Sequence, residues 1–173
     1  MKPFRYLILH CTATPEGRSV TAETVRNWHT KPPPAGRGWS RVGYSDLILL
    51  DGTRHRFVKH DGDKWIDPEE ITNGVSGINS ESRHVAYVGG LSKDGKTSKD
   101  TLTEAQNATL SAIIAEVLGY APDVIIAGHN QFSNKSCPSF WVPDYLLNRS
   151  LVRIPEKNIF LNDPFRYGPK LSR

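Results

Sequence analysis

A short apolar run followed by two soft donor side chains constrains this chain more than any other stretch. Asp123-Val124-Ile125-Ile126-Ala127 is brief, β-branched and preceded by Pro122, which reads as a buried strand. Gly128-His129 follows at once, and Cys137 comes after a further seven residues, 130–136. His129 and Cys137 therefore sit just past a strand end, the rim where open α/β sheets usually bind ligands because the strand is rigid and the loop is free to vary. Imidazole and thiolate are preferred zinc donors, and a loop of this length can fold back to bring both onto one ion. A catalytic zinc takes three protein ligands and keeps a fourth position for water, so a third donor must come from elsewhere. The candidate is His10, at the end of the apolar run Phe4-Arg5-Tyr6-Leu7-Ile8-Leu9-His10.

Taken together, His10-Cys11-Thr12-Ala13-Thr14, then Gly43-Tyr44, then His129 and Lys135-Ser136-Cys137-Pro138-Ser139-Phe140 resemble the zinc N-acetylmuramoyl-L-alanine amidases. That family shares its fold with the peptidoglycan recognition proteins, and the likeness runs from about Phe4 to Leu147. It implies a single α/β domain with a central mixed β-sheet flanked by α-helices. It also implies one zinc ion per chain on His10, His129 and Cys137, with Tyr44 and Lys135 as catalytic residues. A lone histidine at a strand end is ordinarily just a polar terminus; the shared pattern with His129 and Cys137 is what raises His10 to a ligand.

The implied activity is hydrolysis of the amide between N-acetylmuramic acid and L-alanine in peptidoglycan. The alternative is a non-catalytic peptidoglycan-binding module of the same fold, but such modules typically lose a metal ligand, usually the cysteine, and Cys137 is present. A basic nucleic-acid-binding protein with a structural zinc is disfavoured, since a structural site normally takes four closely spaced Cys/His ligands.

Composition agrees with this and narrows it. At 173 residues the chain fits one domain with a proper core. Cys11 and Cys137 are its two cysteines, which makes a disulfide framework improbable and suggests a reducing compartment. Lys and Arg number 22 against 18 Asp and Glu, a mild positive balance that would suit an anionic surface such as a cell wall or nucleic acid, although with no long Lys/Arg run it fits a protein that is simply basic at least as well. No apolar stretch approaches the roughly 20 residues needed to cross a bilayer, and Met1-Lys2-Pro3-Phe4 does not resemble a secretory signal. The expectation is therefore a monomeric endolysin of phage or prophage origin, made in the host cytoplasm and released to the wall, with no membrane partner. Residues 1–150 form the expected catalytic domain and 151–173 a tail of unassigned role.

In chain order, Phe4–His10 is apolar on both faces and so belongs in the middle of a sheet. Alternation puts Cys11 on the face opposite His10, as a core residue. Thr21 caps an expected helix to His29, whose imidazole suits the free carbonyls at the helix end better than a metal. Trp39 is either a packing anchor or a substrate wall. Gly43–Leu50 and Arg54–Lys59 form a hairpin about Asp51-Gly52. His55, His60, Asp61 and Asp63 are read as turn residues rather than a second metal cluster. Residues 66–82 form a loop suited to lining a groove. Arg83–Gly90 is a strand, Thr103-Glu104-Ala105-Gln106 opens a helix ended by Gly119, and Pro143–Asn148 is a short final helix.

Two departures from the family pattern stand out. After Gly-Tyr a His or aromatic residue is usual, and this chain has Ser45-Asp46, which is expected to make the adjoining wall more polar. Where Ile-Gly is usual it has Arg83-His84, expected either to place a bulky, chargeable pair near the groove or to be a tolerated strand-entry substitution.

Overall fold

The computed structural model describes residues 1–164. Its main sheet has five strands: β1 (Tyr6–Cys11), β2 (Asp46–Ile48), β3 (Arg54–Arg56), β4 (Ser82–Tyr87) and β5 (Ile125–Gly128). Their spatial order is β3-β2-β4-β1-β5. β2, β4, β1 and β5 run parallel and β3 returns antiparallel, so the sheet is mixed, as expected. β1 lies at the interior because Leu7, Ile8 and Leu9 are buried on both of its faces.

Three helices cover the sheet: α1 (Ala22–Thr30), α2 (Glu104–Tyr120) and α3 (Val142–Asn148). On one face Leu7, Leu9 and Val85 pack with Leu110, Ile113, Ile114 and Val117 of α2 and with Tyr145 and Leu146 of α3. On the other, Leu47 and Ala86 pack with Val25 of α1, while Ile8 and Ala127 pack with Val75. His10 is two residues on from Ile8 and so faces the same way. Cys11 faces the α2–α3 core and is buried there.

Local chemistry explains the helix starts. Thr21 accepts a hydrogen bond from Thr24 N–H at 3.1 Å, and Thr103 and Gln106 make a reciprocal capping box. Gln106 does more than cap, since its buried amide also donates to Val88 O at 2.9 Å and Ile48 O at 3.3 Å, tying α2 to the end of β2 and to the residue just past β4. The hairpin turn is where it was expected: Asp51 Oδ1 accepts from Thr53 N–H at 2.9 Å, and Gly52 has φ 84°. A Cβ on Gly52 would also stand 2.7 Å from Ala105 O, so the turn packs directly on the start of α2.

Gly119 does not end α2, which runs on to Tyr120; Ala121 N–H still bonds Val117 O, and Pro122 then stops it. Beyond α3 the chain crosses the β5 edge. Ile126 bridges Ile159, Phe160 N–H donates to Ile126 O at 3.1 Å, and Asn158 Nδ2 donates to Val124 O at 2.6 Å. Pro169, part of the tail considered above, lies outside the described residues.

Candidate metal centre and groove

Three segments deliver the expected donors to one rim. His10 comes from the C-terminal end of β1, His129 directly follows β5, and Cys137 returns on the loop beyond it. The loop closes because Asn130 N–H donates to Cys137 O at 2.7 Å, while Asn130 Nδ2 donates to Phe140 O at 3.1 Å. The ligand atoms of His10, His129 and Cys137 all lie within 4.8 Å of one another, and His10 Nδ1 is 3.6 Å from Cys137 Sγ. Among the described residues this is the grouping whose donors converge.

The electrostatics fit a cation. Burial, reinforced by His129 and by Lys135 among other neighbours, holds His10 well below the usual histidine range. Burial and Lys135 likewise lower His129 to about 4. Both rings are therefore neutral at neutral pH, each with a lone pair to offer. Burial pushes the Cys137 thiol up, so a thiolate there needs a positive charge beside it. Cys11 N–H donates to Cys137 Sγ at 3.2 Å and helps to aim it. Two imidazoles and one thiol drawn from separated segments fit a catalytic zinc better than a calcium or magnesium site, which would want oxygen donors.

Tyr44 and Lys135 flank these donors. The Tyr44 ring lies 5.3 Å from that of His10, and its hydroxyl donates to Cys11 O at 3.3 Å. Burial, with Cys137 and Cys11 adding to it, raises the phenol well above its ordinary range, so it remains a proton-bearing donor. Lys135 is exposed and lines a groove of about 400 Å³ together with His129, Trp39, Asn73 and Val75. Trp39 is a packing anchor, its ring stacking on His29 at 5.0 Å, and it also lines this groove. The loop expected to line a groove contributes residues 73–77 and Asn79.

Several local expectations change. His29 does not serve the carbonyls at the end of α1; it is buried, and its Nδ1 accepts from Gly43 N–H at 3.1 Å, which fixes the approach to Tyr44. Ser45 and Asp46 do not make the wall polar, because both are buried: Ser45 bonds the backbone of His84, and Asp46 pairs with Arg54 at 2.7 Å. Arg83 and His84 are not a charged pair beside the groove. Arg83 faces the other side of the sheet, where it meets Glu70 at 3.2 Å and the Phe4 ring at 4.7 Å. His84 is fully buried behind His10, its Nδ1 3.1 Å from His10 Nε2, and burial with His129 lowers it to about 3. His60 is held against Glu70 at 3.4 Å and His55 against Phe57 at 4.8 Å, apart from the His10 cluster.

Known proteins resemble this chain in sequence and in fold. The family described as N-acetylmuramoyl-L-alanine amidase matches residues 1–140. The endolysin of Enterobacteria phage K11 is 30% identical over 144 residues, which is 83% of this chain and 86% of that one. Among solved structures, the Ph2119 endolysin from a Thermus scotoductus MAT2119 bacteriophage superposes with a TM-score of 0.59 at 24% identity, covering 80% of this chain and 78% of that one. The ectodomain complex of peptidoglycan recognition proteins LCa and LCx bound to tracheal cytotoxin gives 0.63 at 18% identity, covering 86% of this chain and 84% of the matched one. These two structures share the fold; the family match, which takes in both histidine-bearing strand ends and the cysteine loop, goes further, and by it the chain belongs to the N-acetylmuramoyl-L-alanine amidase family.

Proposed function

We propose that this chain hydrolyses the amide between N-acetylmuramic acid and L-alanine in peptidoglycan with one zinc ion held by His10, His129 and Cys137. The observation that carries the zinc reading is the convergence of three soft donors, all within 4.8 Å, beside a groove. A zinc ion held there supplies Lewis-acid polarisation of the amide carbonyl and brings the pKa of a water molecule down to about 7. The protein's own groups do the rest. Lys135 presents an ammonium where the carbonyl oxygen becomes negative, and Tyr44 offers a phenolic hydrogen to the same centre. Trp39 and the loop around Asn73 hold the substrate against that centre. Residues 1–150 are the catalytic part, acting as a monomer. The likeness to a phage endolysin supports a phage-type lytic role, with the protein made in the host cytoplasm and acting on the wall after release. No helix among the described residues is long and apolar enough to cross a membrane.

Digestion of purified cell walls tests this reading. The expected products are free amino groups of L-alanine without new reducing sugar ends, and a chelator should stop their release. New reducing ends alone would mean that a glycosidic bond is cut instead. Wall binding with no amine released would favour the non-catalytic module.

A further inference from the structure

The imidazole of His84 touches the metal centre without belonging to its donor set. A neutral imidazole carries one N–H, so the nitrogen that binds a metal must be the one without hydrogen. In His10 the nitrogen facing Cys137 is Nδ1, at 3.6 Å, and the nitrogen facing His84 is Nε2, at 3.1 Å from His84 Nδ1. If Nδ1 is to give its lone pair to zinc, Nε2 must hold the hydrogen and donate it. His10 and His84 are both buried, so that hydrogen meets an acceptor in His84 Nδ1. His84 must then carry its own hydrogen on Nε2, which has no partner among the described residues. The reverse arrangement, with His84 donating, puts hydrogen on His10 Nδ1 and blocks the metal.

The surroundings hold the ring in this place. Ser45 Oγ donates to His84 O at 2.8 Å and accepts from His84 N–H at 3.0 Å, clamping its backbone from the neighbouring strand. Gly74 closes the other side: a Cβ there would lie 2.3 Å from His84 Nδ1, so only glycine at 74 admits the ring. The two departures from the family pattern, Ser45 and His84, are thus one local device. Resting on the metal-centre reading above, we propose that His84 is a positioning residue: it fixes the tautomer of His10 so that Nδ1 faces the metal.

The test uses the full chain loaded with zinc, or with cobalt as a spectroscopic probe. In zinc-loaded wild type, ring ¹⁵N spectra should show His84 with its hydrogen on Nε2; hydrogen on Nδ1 would overturn the inference whatever the variants do. His84→Leu removes the acceptor and should weaken zinc, measured by chelator competition, by about 10–100-fold and change the cobalt absorption bands. His84→Asn places an amide oxygen near the position of Nδ1 and should recover most of that loss. Wild-type affinity and spectrum in His84→Leu, or an asparagine variant no better than leucine, would reduce His84 to packing. Failure of the wild type itself to bind zinc is a different result, since it removes the metal centre along with this refinement.

Discussion

Lys135 is exposed at the lip of the groove two residues before Cys137, yet its charge reaches both histidines, lowering His10 and His129. An ammonium does not ligate a cation, so in the mechanism proposed above its value would lie where the amide oxygen turns negative. Lys135→Ala should keep zinc and fold while kcat falls by about 10²-fold and KM changes far less, the loss typical of one oxyanion donor. Tyr44→Phe should behave alike, because the ring keeps its packing and only the hydroxyl that reaches Cys11 O is lost. Steady-state kinetics on a soluble muramyl-peptide, with metal analysis alongside, checks both; wild-type turnover in Lys135→Ala would return that residue to the solvated surface. His129 and Cys137 were legible as candidate donors from their chemistry and their place just past a strand, whereas His10, a lone histidine at a strand end, stood out through the family resemblance. His84 was not legible as a partner of His10. That pairing depends on the register that sets Ile8 opposite His84, which also turns neighbouring Arg83 to the far side of the sheet. A chain read without its strand pairing cannot assign such faces.

Elements were easier to read than their ends or their outward bonds. The hairpin and α2 carried strong turn and cap signals, whereas the end of α1 was misread: His29 looks outward from the helix to accept the Gly43 amide. Only a neutral ring can accept there. Burial first and the Arg37 guanidinium second lower His29 to about 4 from its ordinary 6.5. As pH falls, the unfolded chain therefore takes up this proton before the folded one does. The stabilisation is whole above 6.5 and is lost progressively as pH falls through about 4. Thermal midpoints of wild type and His29→Gln should accordingly differ by a constant amount above 6.5 and converge, or cross, on the way to about 4. Parallel profiles through that window would show that His29 does not titrate as its surroundings require.

At the scale of the molecule, the part least legible in sequence was the stretch after α3, where prolines and scattered aromatics give no period to follow. Its role is tertiary. Ile154 and Ile159 are buried in the main core, and Gln131 Nε2 donates to Phe160 O at 2.6 Å and Asn162 O at 3.0 Å. Deleting residues 151–173 should remove at least about 3 kcal/mol of apolar burial and bare the β5 edge, lowering the thermal midpoint and promoting aggregation. Scanning calorimetry with light scattering measures both, and an unchanged midpoint would show that the segment is an ornament on a self-sufficient domain. The central position of β1 has a separate consequence for biogenesis. Its two neighbours, β4 and β5, are encoded far downstream, at Ser82–Tyr87 and Ile125–Gly128. At about 5–20 residues per second the most apolar strand waits several seconds or more for both sides of its ladder. Folding must then close long loops before those contacts reward it, a topology for which slow folding is expected. His10 waits with it, so the centre cannot assemble until the ribosome has passed Cys137, and no nascent chain that stops short of that residue carries a complete set of ligands.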